Sequence, residues 1–236
     1  MSALKTSVAA HRSLNKERIS TLEPERDYRM KRNYQKELDR IIEGLQETGE
    51  VPILLLHSCC APCSSYCLEY LSKYFRITLF YYNPNISPRE EYEKRIAEQK
   101  RLIEALDTVH PITFLEGKYE PEAYFTLVKG LEDEPEQGKR CTVCFQMRLL
   151  EAAKAAKETG AEYFTTTLSI SPLKNAELLN SLGEEIGAAE GVAYLPSDFK
   201  KKDGYKRSVE MSEEYGLYRQ DFCGCIFSKA ERERQK

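Results

Sequence analysis

The sequence predicts an α/β protein with a Rossmann-like parallel sheet flanked by helices and a cysteine-bearing C-terminal segment. Three observations predict it. From about residue 51 onward, short β-branched and aromatic runs alternate with longer stretches of helical periodicity. The spacing leaves room for a helix between successive strands, which implies right-handed crossovers and a parallel sheet. The unusual residues, thiols above all, fall just after strand ends, where open α/β sheets bind their ligands.

The elements follow in order. Tyr34 to Leu45 carries Leu38, Ile41, Ile42 and Leu45 at helical spacing, and Gly49 closes the helix. Val51 to His57 is the first strand, and Pro62 to Phe75 the helix after it. Arg76 to Tyr82 is the second strand, Glu90 to Leu106 a helix, and Ile112 to Leu115 the third strand. Glu120 to Lys129 reads as helix, then an acidic loop at 132–136. Cys141 to Thr159 is rich in Ala and Leu and stops at Gly160. Tyr163 to Leu168 is the fourth strand, Lys174 to Ile186 a helix, Val192 to Leu195 the fifth strand, and Arg207 to Tyr215 the last helix. Residues 1 to 32 read as a polar extension, and 33 to 236 as one α/β domain.

The 236 residues are 41% hydrophobic and 31% charged, ordinary for a soluble globular chain. No apolar run approaches the roughly 20 residues of a membrane helix. Met1-Ser2-Ala3-Leu4-Lys5 starts no secretory h-region, so a cytoplasmic location without membrane contact is expected. A reducing cytosol makes eight cysteines better candidates for metal or redox chemistry than for structural disulfides. A net charge of −3 excludes a broadly basic nucleic-acid binder but leaves room for a local basic patch.

The sulfur comes in three groups: Cys59-Cys60 with Cys63, Cys141-Thr142-Val143-Cys144, and Cys223-Gly224-Cys225. Vicinal cysteines bond each other poorly because disulfide geometry is demanding, so Cys59 and Cys60 point to a shared inorganic centre. A C-x-x-C that opens a helix places sulfurs near free N–H groups and favours thiolate. Together these cysteines outnumber the four ligands of a zinc ion; an iron–sulfur centre, zinc and a redox dithiol all remain open. Cys67 lies on an apolar helix face and reads as core. His57 reads as a hydrogen-bonded structural residue. The turn after the first strand holds Ser58-Cys59-Cys60-Ala61-Pro62 where a nucleotide-binding relative would have glycines, which disfavours a nucleotide-dependent enzyme.

Phe199 to Arg207 is the densest positive run. With Lys201 and Arg207 for phosphates and Tyr205 to stack on a base, it suggests an RNA partner. Asn83 and Asn85 form a rigid loop after the second strand, with Glu90 close behind. Asp221 precedes the last cysteine pair and is a candidate proton donor.

His57-Ser58-Cys59-Cys60-Ala61-Pro62-Cys63, Tyr82-Asn83-Pro84-Asn85-Ile86, Cys141-Thr142-Val143-Cys144, the run Thr166 to Pro172 and the run Tyr218 to Cys225 together resemble the QueH-type epoxyqueuosine reductases. The resemblance runs from about residue 33 to the end. It implies a HUP-type Rossmann-like domain. It also implies reduction of epoxyqueuosine to queuosine at the wobble position of tRNA, the final step of queuosine synthesis. A [4Fe-4S] cluster and a second, mononuclear iron are implied with it. On that resemblance Cys59 or Cys60, Cys141, Cys144 and one of Cys223 or Cys225 hold the cluster. The remaining sulfurs, with Cys63, hold the second iron. Asp221 or Glu90 supplies a proton, Asn83, Asn85, Lys201, Tyr205 and Arg207 meet the substrate, and an unidentified low-potential donor brings electrons. A zinc-stabilised RNA-binding module without catalysis and a heterodisulfide-reductase-like thiol enzyme are the rival readings.

Overall fold

Leu54, Leu55 and Leu56 have no exposed surface at all, and an apolar run buried on both faces is what a central parallel strand requires. They form β1 (Ile53–His57) in a computed structural model that describes residues 32–235. The polar extension expected over residues 1 to 32 lies outside the described residues up to position 31. β1 pairs in parallel with β2 (Arg76–Tyr81), His57 opposite Phe80, and with β4 (Tyr163–Thr166), His57 opposite Thr166. β3 (Ile112–Glu116) lies beyond β2 and the short β5 (Ala193–Tyr194) beyond β4, so the order is β3-β2-β1-β4-β5. The order reverses at β1, and the carboxyl ends of β1 and β4 flank the crevice where such sheets place ligands.

Eight α-helices accompany the sheet among the described residues. α1 (Tyr34–Thr48) starts with the Asn33 side chain accepting from Lys36 N–H and ends at Gly49, whose φ of 72° is left-handed. α2 (Ala61–Leu71) begins immediately after Cys60, and Pro62 suits its first turn because no N–H is needed there. α3 (Arg89–Ala105), α4 (Pro121–Leu127), α5 (Lys139–Thr159) and α6 (Ala176–Glu190) follow, then α7 (Gly204–Glu214) and α8 (Ile226–Arg234). The main core joins Leu38 and Ile42 of α1 to Leu54, Leu56, Leu68, Leu71, Phe75 and Leu79, each buried Leu contributing roughly 1.5–3 kcal/mol. Cys67 belongs to this core.

Two elements depart from the sequence-based expectation. The fourth strand stops at Thr166 instead of reaching Leu168: the Thr166 hydroxyl accepts from Leu168 N–H at 3.2 Å and starts a 3-10 turn, Thr167–Ile170. That turn steers the chain across the crevice. A helix also follows the last cysteine pair. α8 has no apolar stripe to reveal it, since Ser228 is its one buried residue, and its start is capped by the Cys225 sulfur, which accepts from Ser228 N–H at 3.3 Å. No helix of the described residues is long and apolar enough to cross a membrane.

Candidate metal centre

The first thiol group sits where β1 hands over to α2. Cys60 caps the helix and Cys63 lies in its first turn, so Cys60-Ala61-Pro62-Cys63 is itself a C-x-x-C, a second one beside Cys141–Cys144 that the sequence reading passes over. The sulfurs of Cys59, Cys60 and Cys63 all lie within 4.8 Å of one another. Cys59 and Cys60 are 3.8 Å apart, far beyond the roughly 2.05 Å of a disulfide, and all three are free. Hydrogen bonds from the Cys60 and Cys63 thiols, aided by the charge on Arg148, hold Cys59 well below the ordinary thiol range. The same contacts push Cys60 up to about 12 and Cys63 well above its usual value. Negative charge on the triad is thus favoured at Cys59. Gln99 fixes the turn beneath it, its side-chain oxygen accepting from Ser58 at 2.9 Å and Ser64 at 2.8 Å.

The second and third groups are electrostatically coupled to each other. Cys141 lies in the first turn of α5, after the Gly138 cap, and accepts from Gln137 N–H at 3.3 Å. Burial pushes Cys144 up to about 12, and the charges of Cys223, Cys141 and Cys225 add to the effect. The Cys223-Gly224-Cys225 loop is pinned by Ser87 N–H to Gly224 O at 3.0 Å, Arg95 Nη1 to Cys223 O at 3.1 Å and Cys223 N–H to Ser228 Oγ at 3.1 Å. Gly224 has φ of 120°, and an added Cβ would meet Ile86 Cγ1 at 2.9 Å and Arg95 Nη1 at 3.1 Å, so any other residue there is strained and crowded. The cysteine groups thus stand at the N-termini of α2, α5 and α8, where unpaired N–H groups favour negative sulfur.

Positive side chains are built in beneath the sulfur. Arg148, 1% exposed, donates to His57 Nε2 at 3.3 Å, Asn83 Oδ1 at 2.7 Å and Cys144 Sγ at 3.9 Å. His57 Nδ1 lies 2.9 Å from Thr166 Oγ1, and its Nε2 stands between the Arg148 guanidinium and the Tyr82 carbonyl oxygen at 3.1 Å. Burial and Arg148 hold His57 down at about 3; it is neutral and structural, as its position at the strand end suggests. Arg95, also 1% exposed, pairs with Glu91 at 2.7 Å. Its Nη2 is buried with no hydrogen-bond partner among the described residues, while Cys60 lies close enough to raise its pKa. Lys174 pairs with Glu136 at 2.7 Å, and Glu136 accepts from Ser228 Oγ at 3.1 Å. A buried donor left over beside the triad, soft thiolate ligands and three helix N-termini fit an anionic metal–thiolate group.

A cavity of about 510 Å³ opens over the site. Cys59, Cys60, Cys63 and Cys223 line it, with Arg95, Lys174, Glu136 and Asp221. Cys141, Cys144 and Cys225 do not line it, but they are electrostatically coupled to Cys223. Of the residues expected to meet the substrate, Tyr205 lines the cavity and is 40% exposed. The others are placed elsewhere. Asn83 spends its amide on Ser58 O at 2.8 Å and on Arg148. Asn85 is buried away from the cavity wall, and Lys201 is exposed without lining it. Arg207, in α7 as its helical run predicts, is ion-paired to Glu69 and Glu214 at 2.6 Å each. Glu90 is exposed on the first turn of α3 and does not line the cavity; its neighbour Glu91 turns inward to Arg95. The buried cations escape sequence reasoning. One signal existed for Arg148, which follows Cys144 by one helical turn; Arg95 is joined to the site only by the fold.

The fold and site define a class: an α/β protein that gathers thiols, with a set able to hold metal, at the switch point of a parallel sheet. Comparison with known proteins narrows it. The family model for epoxyqueuosine reductase QueH matches residues 54–231. An epoxyqueuosine reductase QueH of Staphylococcus epidermidis is 46% identical over 200 residues, 83% of this chain and 84% of that protein. Those of Streptococcus pyogenes serotype M1 (43%; 83% and 78% covered) and Thermotoga maritima (36%; 76% and 91% covered) are similar too. Among solved structures, an NAD+ synthetase from Burkholderia pseudomallei spans 87% of this chain and 91% of its own, at 14% identity and a TM-score of 0.25, too weak a likeness to bear on fold or chemistry. The chain belongs to the epoxyqueuosine reductase QueH family, a family of oxidoreductases.

Proposed function

We propose that this protein reduces epoxyqueuosine at the wobble position of tRNA to queuosine, using a [4Fe-4S] cluster and a second, mononuclear iron held by the clustered cysteines. The reaction breaks both C–O bonds of the epoxide, takes up two electrons and two protons, and releases an alkene and water. The observation that carries the reading is that Cys59, Cys60, Cys63 and Cys223 line one cavity while Cys141, Cys144 and Cys225 are electrostatically coupled to Cys223 behind it, seven sulfurs where one tetrahedral ion uses four.

On this reading Cys141, Cys144, Cys223 and Cys225 would supply the four thiolates a cluster takes, and Cys59, Cys60 and Cys63, whose sulfurs lie within 4.8 Å of one another and line the cavity, would hold the second iron. When bound, these groups deliver electrons one at a time and offer a Lewis acid for the epoxide oxygen. The chain's own residues do the rest. Tyr205 and Leu173, both exposed where they line the cavity, stack against the base of the modified nucleoside. Asp221 lines the cavity and is the proton source of the two carboxylates expected. Lys174 and Glu136 add a polar wall against which the leaving water is held. Electrons come from a low-potential donor, in the cytoplasm, where thiols stay reduced.

The test is anaerobic. Protein reconstituted with iron and sulfide should show broad visible absorbance that dithionite bleaches, and with reductant should convert epoxyqueuosine-containing tRNA to queuosine, read by nucleoside mass spectrometry. Since a second C-x-x-C is present, zinc deserves direct measurement. A colourless protein with one zinc per chain and no turnover would overturn the proposal in favour of a zinc-stabilised RNA-binding module.

A further inference from the structure

Arg148 is a buried cation whose hydrogen-bond partners are a neutral imidazole, an amide and a sulfur, and among the described residues no carboxylate is ion-paired with it. An uncompensated guanidinium in the interior costs several kcal/mol, so its counter-charge has to be sulfur. Cys144 Sγ is the sulfur in contact with it, at 3.9 Å, and negative charge on Cys144, on Cys59 after β1 or on Cys223 of the tail would act on it, Cys144 most strongly. Its own placement is rigid. Asn83 is anchored in turn on Ser58 O, His57 on Thr166, and Cys144 one helical turn before it shares the face of α5 that carries Arg148. The guanidinium therefore stands at the junction of the cysteine groups, fixed by the ends of β1 and β2.

We infer that Arg148 is a positioning residue that carries fixed positive charge to this junction and so sets how readily the bound iron–sulfur centre accepts an electron. The inference rests on the proposed iron content. Reduction adds negative charge to a thiolate-ligated centre, and a cation held against its ligands in a low-dielectric interior favours that step. Arg148→Met removes the charge and keeps much of the volume; Arg148→Lys keeps the charge but loses the fork that spans His57, Asn83 and Cys144.

The experiment measures iron and sulfide per chain and the midpoint potential by an EPR-monitored redox titration, for wild type and both variants reconstituted side by side. The expected result is equal iron in all three, a lower potential in Arg148→Met, and a potential nearer wild type in Arg148→Lys. Loss of iron in Arg148→Met with retention in Arg148→Lys supports the same charge role. Equal iron with coincident potentials overturns the inference, and so does loss of iron from both variants with the fold intact, which would make the guanidinium's shape decisive rather than its charge. Wild-type protein that takes up no iron overturns the parent proposal first, and this one with it.

Discussion

Gly224→Ala tests whether the C-terminal cysteine loop is held in place by backbone conformation. At φ of 120°, an L side chain costs about 1–3 kcal/mol. The added Cβ would also sit 2.9 Å from Ile86 Cγ1 and 3.1 Å from Arg95 Nη1, and overpacking of this kind costs about 1–3 kcal/mol. Against this stand two bonds that dock the loop, Ser87 N–H to Gly224 O and Arg95 to Cys223 O. They are worth about 1 kcal/mol for the neutral one and about 1.5–3 kcal/mol for the charged one. Penalty and docking energy are comparable, so the loop should detach while the sheet stays folded. The control is Gly216→Ala, also at positive φ (57°) but with nothing within 4 Å of its Cβ. Metal content per chain after anaerobic reconstitution, alongside thermal unfolding, reads the outcome. Gly224→Ala should lose metal with a Tm drop similar to that of Gly216→Ala. Full metal content in Gly224→Ala would refute the reasoning.

Two further outcomes are expected. Tyr205→Ala should raise KM for the tRNA substrate by about tenfold, since base–aromatic stacking is worth about 1–3 kcal/mol; Arg207→Ala should leave KM unchanged, because Arg207 is occupied by Glu69 and Glu214, and steady-state kinetics on both variants decides. Glu98, held below the usual carboxylate range chiefly by its hydrogen bonds from Arg101 and despite partial burial, also accepts from Tyr218 N–H at 2.7 Å. Its unfolded form binds a proton at higher pH than its folded form, so its contribution is complete above about pH 4.3 and drains away as pH falls through the folded value. Glu98→Gln should flatten the Tm-against-pH curve below that point, and parallel curves for the two proteins would contradict it.

The family and the arrangement of elements were legible in the chain itself. Leu54–Leu56 declares a central strand because an uninterrupted apolar run can be satisfied only by burial on both faces. Gly49 and Gly160 mark helix ends because only glycine adopts left-handed φ without strain, and both do so, at 72° and 69°. The thiol groups announce their chemistry by spacing, since C-x-x-C at a helix start is a local device. Where local signals are missing, the sequence is silent. α8 lacks periodicity because it buries a serine rather than an apolar stripe. The fourth strand is cut short by one hydroxyl competing with the sheet ladder at Thr166.

What only the tertiary structure decided is which charges face the sulfur. The stretch around Arg207 looks like a phosphate clamp along the chain, yet two glutamates from α2 and α7 claim the guanidinium. Glu90 and Glu91 are adjacent in sequence, but the helical rotation between them turns Glu91 to Arg95 and leaves Glu90 in solvent. Arg95 and Cys223 are 128 positions apart and share a hydrogen bond. Local spacing determines which residues can ligate; long-range burial determines which cations lose their water, and a desolvated cation in a low-dielectric interior acts on the thiolates far more strongly than an exposed lysine does.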